Sequence, residues 1–185
     1  MIIQTGNLQG IYEITIQPNH DHRGHFSRIY DRQIFKNHGL DCDWVQENRS
    51  YSRHKGTLRG LHLQFGEYAE SKLIRVCRGA IFDVFVDLRP GSPTYGHWDS
   101  IFLTDRNNKM IYIGKGFAHG FCTLEDHCEI EYKVDRPYAP QHEGGVRWND
   151  PGLHITWPIL KPIISDRDLR LPSLQEFKRQ QENQP

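Results

Sequence analysis

Three apolar segments follow one another with almost no connecting chain: Thr57–Gln64, Ser71–Arg78 and Ala80–Leu88, the last two separated by Gly79 alone. Such short connections leave no room for the crossover helix of a βαβ unit. Gly66, Gly79 and the stretch Pro90–Pro93 separate or close these segments. Ile11–Ile16 precedes them, and Gly96–Thr104, Lys109–Ile113, Gly120–Leu124 and Glu129–Val134 follow at similar spacing. The pattern predicts an all-β sandwich or barrel. Helix is scarce. Asp31–His38 reads as a short helix capped by Asp31 and ended by Gly39, and Ser165–Leu171 as a turn or two capped by Ser165. Ser173–Pro185 is rich in Gln and Glu and reads as a short surface helix or a disordered tail.

The length of 185 residues suits one domain, 1–185, ending in the tail at about 173–185, and no repeat, linker or low-complexity block divides it. Charge balances, with 23 Lys+Arg against 23 Asp+Glu, which argues against a nucleic-acid partner. No apolar run approaches the ~20 residues that span a bilayer. The start MIIQTGNLQG lacks a basic region followed by an apolar stretch, so a cytoplasmic protein without a membrane partner is expected. Cys42, Cys77, Cys122 and Cys128 form no C-x-x-C pair and read as reduced thiols.

Ala80–Leu88 alternates most cleanly. Phe82, Val84, Val86 and Leu88 share a core face, while Asp83, Phe85 and Asp87 face either a polar cavity or solvent. His20, His22, His25 and His38 lie in polar turns, whereas His62 and His119 sit in glycine-punctuated apolar segments. Simple alternation places Arg59 and His62 on opposite faces, and a bulge at Gly60 would turn both inward. An imidazole is a natural base near neutral pH. Lys72, at the start of its strand, can steady an oxyanion or block a sheet edge. Three glycines in Gly114–Gly120 predict a tight turn carrying His119 inward. Tyr132 shares a strand face with Ile130 and Val134 and is either packing or a proton donor. Asp168 can orient a histidine, although sequence distance does not tell whether it meets His62.

Taken together and in order, these segments resemble the family of dTDP-4-dehydrorhamnose 3,5-epimerases and related nucleotide-sugar epimerases. The resemblance runs from Asp21-His22-Arg23-Gly24 to Ile164-Ser165-Asp166-Arg167-Asp168. It includes Gln46-Glu47-Asn48, Gly56–Gln64, Lys72–Arg75, Phe82-Asp83-Val84 and Ser92–Gly96. Gly116–Phe121, Trp148–Pro151 and Ile155–Pro158 complete it. It implies a cupin-like jelly-roll β-barrel with a few short peripheral helices, a homodimer, and an isomerase acting on a nucleotide-diphosphate 4-keto-6-deoxyhexose without metal or organic cofactor. By position, His62 corresponds to the general base, Asp168 to its orienting partner, Tyr132 to the acid and Lys72 to the residue that steadies the enolate. Arg23, Gln46, Asn48, Arg59, His119, Tyr138, Glu143 and Arg167 fall where the family contacts nucleotide, diphosphate or sugar.

The chain departs from the pattern at Arg28, where the family often has Glu, and at Glu47 and Arg49, where Asp and His are frequent. Gly114 stands where Pro is usual and Gly145 where Arg is common. Arg28 replaces acceptors by donors, which puts the nucleotide in question. Two other classes compete with the epimerase. A metal-binding cupin would use His62 and His119, but Gln64 occupies the position of a second histidine ligand. A non-catalytic sugar-binding barrel would share the fold without the chemistry.

Overall fold

The computed structural model describes residues 1–40 and 43–182. In chain order its strands are β1 (Ile2–Thr5), β2 (Ile11–Thr15), β3 (Asn19–Asp21), β4 (Gly24–Phe26), β5 (Gln46–Ser52), β6 (Leu58–Gln64), β7 (Lys72–Arg78), β8 (Ala80–Asp87), β9 (Trp98–Thr104), β10 (Lys109–Ile113), β11 (Phe117–Thr123), β12 (Cys128–Val134) and β13 (Glu143–Gly145). Three short α-helices join them: α1 (Arg32–Asn37), α2 (Asp166–Leu169) and α3 (Leu174–Glu182). The strands form a six-stranded sheet, β1-β2-β10-β7-β12-β5, and a five-stranded sheet, β13-β6-β11-β8-β9, with β3 and β4 as a separate hairpin. The pairings within both sheets are antiparallel. This is the cupin-like jelly roll.

The expected segments recur with small changes of boundary. β11 begins at Phe117 rather than Gly120, so His119 sits inside a strand and not on a turn. The glycine-dependent turn precedes it at Gly116, whose φ is +81°. β1, β5 and β13 carry weaker alternation and are supplied by pairing with stronger neighbours, while β3 and β4 pair with each other.

Three apolar layers hold the elements together. The facing sheets bury Ile74, Val76, Ile81, Phe85, Ile111 and Phe121 between them. The outer face of the five-stranded sheet is covered by the C-terminal segment, which packs Val146, Leu153, Trp157 and Phe177 against Leu61, Val84 and Val86. The outer face of the six-stranded sheet is covered by α1, whose Phe35 is fully buried with Ile14, Leu73 and Met110. Each such side chain contributes roughly 1.5–3 kcal/mol. Every residue of β8 is consequently buried. Its Phe82–Val84–Val86 face meets the C-terminal segment, and its Asp83–Phe85 face lies between the sheets, so neither face is solvated.

Local signals set the helix ends. The Asp31 carboxylate accepts from the backbone N–H groups of Gln33 and Ile34 at 3.0 and 3.3 Å, and Gly39 leaves the helix with φ +75°. Ser165 Oγ accepts from the N–H of Asp168 at 3.2 Å. Phe177, 3% exposed, anchors α3 to the core, so the Gln- and Glu-rich composition describes only its outer face. Cys122 and Cys128 are buried and free, Cys77 is partly buried and free, and Cys42 lies outside the described residues. No helix among the described residues is long and apolar enough to cross a membrane.

Candidate active site

Where the inter-sheet core ends, a cleft of about 510 Å³ opens with walls from both sheets. Arg59 and His62 of β6 and His119 of β11 come from the five-stranded sheet. Lys72 of β7 and Tyr132 of β12 come from the six-stranded sheet. Glu143, Arg167 and Asp168 also line it. A recess of about 160 Å³ lies alongside, sharing His62, Lys72, Tyr132 and Glu143 and adding Gln46, Asn48 and Tyr138.

The two inward-facing residues of β6 depend on Gly60. Across β11, His62 pairs with His119 but Arg59 pairs with Phe121, a one-residue slip in register. Gly60 sits at that slip with φ +121°, and a Cβ there would lie 2.5 Å from Gly120 Cα. The bulge therefore needs a residue without a side chain, and it lets Arg59 and His62 line one cleft.

Asp168 reaches His62 from 106 residues away, its Oδ1 lying 2.8 Å from Nε2. The segment before α2 is tied alongside β6: Leu58 N–H donates to Ile163 O at 2.8 Å, and Ile163 N–H donates to Gly56 O at 2.8 Å. Two residues on, Ser165 starts α2 and delivers Asp168. Its second oxygen accepts from Gly60 N–H at 3.0 Å. Burial would raise the Asp168 pKa, but the His62 and Gly60 hydrogen bonds outweigh it and hold the carboxyl below its usual range.

His119 Nε2 lies 2.8 Å from Asp83 Oδ2, giving the cleft a second imidazole–carboxylate pair. Asp83 is fully buried, and burial pushes its pKa up despite the nearby charges of His119 and Lys72. Lys72, 9% exposed, places Nζ 3.0 Å from Glu70 Oε1. The Tyr132 phenol is pushed above its ordinary value first by burial and then by the Glu70 charge, so it stays protonated at neutral pH. At the rim, Tyr138 donates to Glu143 Oε2 at 2.7 Å and Arg167 Nη2 lies 2.5 Å from Glu143 Oε1. Burial would raise the Glu143 pKa, but these two partners keep it low.

The candidates thus converge, with one exception. Arg23 stands on the turn of the exposed β3–β4 hairpin, paired with Asp21 at 2.7 Å, and is absent from the residues lining this cleft. Asp83 joins the site as the polar-cavity alternative for its strand face allowed, and Glu70 joins it although the sequence does not single it out. Alternation along β8 places Asp83 on an inner face, but nothing in the chain foretells that His119 is its partner. Gln64, the position of a second histidine in metal cupins, has its amide engaged: Nε2 donates to Glu70 Oε2 at 2.9 Å and Oε1 accepts from Ala139 N–H at 2.6 Å. Among the described residues no group of three or more His, Cys, Asp or Glu side chains is disposed to hold a metal.

A family model described as dTDP-4-dehydrorhamnose 3,5-epimerase matches residues 5–176. The chain belongs to this epimerase family. Its relative of that name from Sinorhizobium fredii is 45% identical over 158 residues, 85% of this chain and 81% of the relative. The crystal structure of dTDP-4-dehydrorhamnose 3,5-epimerase from Bacillus anthracis, with TDP and PPi bound, is 42% identical and superposes with a TM-score of 0.91 over 93% of this chain and 98% of that one. A 3′-monoepimerase from Streptomyces bikiniensis in complex with dTDP-quinovose is 32% identical, with a TM-score of 0.88 over 95% of this chain and 89% of that one.

Against the epimerase pattern, four of the five departures have local explanations. Arg28 pairs with the helix-capping Asp31 at 3.1 Å. Glu47 pairs with Lys133 at 2.8 Å and Arg49 with Glu129 at 2.6 Å, both across the β5–β12 ladder. A Cβ on Gly145 would lie 1.9 Å from Leu61 O, so the close β6–β13 pairing admits no side chain there.

Proposed function

We propose that this chain inverts C3 and C5 of a dTDP-linked 4-keto-6-deoxyhexose by proton transfer, without metal or organic cofactor. The observation that carries the reading is the His62–Asp168 pair opening into the same cleft as Tyr132 and Lys72. The C4 ketone acidifies the hydrogens on C3 and C5. His62 removes one, with Asp168 holding the ring and stabilising its charged form. The electron pair of the broken C–H bond moves into an enolate whose oxygen faces the Lys72 ammonium. Tyr132 then returns a proton to the same carbon from the other side, the ketone re-forms, and both groups reset their protons with water. Inversion requires a base and an acid on opposite faces of the ring, and these two side chains rise from opposite sheets. Gln46, Asn48, Arg59, His119, Tyr138, Glu143 and Arg167 are read as contacts to the nucleotide, diphosphate and sugar. The proposal includes a cytoplasmic homodimer acting through a single domain.

Proton NMR of dTDP-4-keto-6-deoxyglucose with the protein in heavy water tests this. The H3 and H5 signals are expected to disappear, and His62→Asn to abolish the exchange. Tyr132→Phe is expected to keep exchange of the abstracted proton and lose net epimerisation. Loss of one signal would make the protein a monoepimerase, and no exchange would refute catalysis on this substrate.

A further inference from the structure

Resting on that reading, we propose that Glu70 is a positioning residue of the reaction, holding the Lys72 ammonium and acting on the Tyr132 phenol across the same recess. Glu70 lies between β6 and β7, two residues before Lys72. Its Oε1 is 3.0 Å from Lys72 Nζ, and both side chains are only 11% exposed. An ammonium this buried needs a counter-ion, and a carboxylate this buried needs donors. The second oxygen, Oε2, accepts from Gln64 Nε2 at 2.9 Å.

Gln64 is itself immobilised. The two hydrogens of its Nε2 are shared among Glu70 Oε2 and the carbonyls of Tyr68 and Pro137, each carbonyl at 3.2 Å, and its Oε1 accepts from Ala139 N–H. The chain of contacts is thus backbone to Gln64, Gln64 to Glu70, and Glu70 to Lys72. It fixes where the enolate-facing cation stands without placing Glu70 among the reacting atoms. Glu70, Lys72 and Tyr132 line one recess, so the carboxylate charge acts on the phenol as well. The other charges on that phenol are Arg59, which favours its ionisation, and Glu143, which opposes it; His62 shares the cavity. Burial and Glu70 together extend the protonated form, the one that can donate, to higher pH.

Two variants separate the roles. Glu70→Gln keeps the shape and removes the charge. Tyr132 ionisation, followed as phenolate absorbance in the difference between each protein and its Tyr132→Phe counterpart, is expected to shift down by about one pH unit. The alkaline limb of net epimerisation should move with it. Glu70→Asp keeps the charge but withdraws it by one methylene. Its kcat is expected to fall about tenfold, with KM within about twofold and the Tyr132 ionisation near its wild-type position. An unmoved ionisation in Glu70→Gln, or a wild-type kcat in Glu70→Asp, overturns the proposal. If Glu70→Gln does not fold, wild-type Tyr132 ionising at or below the ordinary tyrosine value of about 10 overturns it alone. Absence of exchange in the wild type would instead refute the epimerase reading, and the Tyr132 titration would still report on Glu70.

Discussion

Replacing Asp168 by Asn should disable His62 while leaving the cleft intact. One oxygen of the carboxylate lies 2.8 Å from His62 Nε2, the other accepts from Gly60 N–H at 3.0 Å, and the side chain is 5% exposed. An amide of the same shape cannot serve both. If its oxygen stays on Gly60, its NH2 faces His62 Nε2, forces that nitrogen to accept, and puts the proton on Nδ1, the one ring nitrogen left to act as base. If its oxygen turns to His62, two N–H donors oppose each other at Gly60. Loss of a charge-assisted hydrogen bond costs about 1.5–3 kcal/mol, or roughly 10- to 150-fold in rate. The wrong tautomer can extend the loss to about 10⁴-fold. Deuterium wash-in followed by proton NMR should therefore slow by roughly 10² to 10⁴ at neutral pH, with KM within about threefold. The melting temperature should fall by only a few degrees, about 2–8 °C. Exchange within a factor of about three of the wild type would refute the role of the pair.

Two further outcomes follow from the fold. Gly60→Ala sets a Cβ 2.5 Å from Gly120 Cα and 2.7 Å from His119 O at φ +121°, and both of these neighbours are backbone; a loss of about 3 kcal/mol or more, read as a melting temperature lower by about 6–12 °C, is expected in denaturation, and a loss under about 0.5 kcal/mol would mean that the bulge tolerates a side chain. Asp87 tests pH linkage: burial alone would raise its pKa, but Arg89, Ser92 and Thr94 hold it well below the usual carboxylate range. Its folded pKa is depressed, so its stabilisation is complete above the unfolded value near 3.9 and is lost as pH falls towards the folded one. Asp87→Asn should therefore be less stable than wild type at pH 7, by an amount that narrows only below about pH 4; a gap that widens on acidification would contradict the assignment.

Much of the scaffold is legible in the chain because its causes are local. Alternation marks β8, since successive side chains must point to opposite faces, and apolar runs bounded by glycine mark β6 and β7. Asp31 and Ser165 announce their helices because a cap acts on N–H groups two or three residues away. Gly60 between Arg59 and His62 foretells a bulge, and the register shifts at that place. Residue types at His62, Lys72, Tyr132 and Asp168 name the available chemistry.

Pairings across long separations were decided only by the tertiary structure. His62 meets Asp168 because residues 56–58 and 163 run side by side, an arrangement that no local propensity encodes. His119 meets Asp83 across two strands, and Gln64, which holds Glu70, is itself held by Pro137 and Ala139, 73 and 75 residues away. Arg23 carries the right chemistry yet stands on an exposed hairpin, away from the cleft of its own chain. The chain by itself determined which groups were on offer and which of the central segments were strands. The closing of two sheets around one cavity selected the groups that share it, because residues far apart in sequence are brought together only by burial of the faces between them.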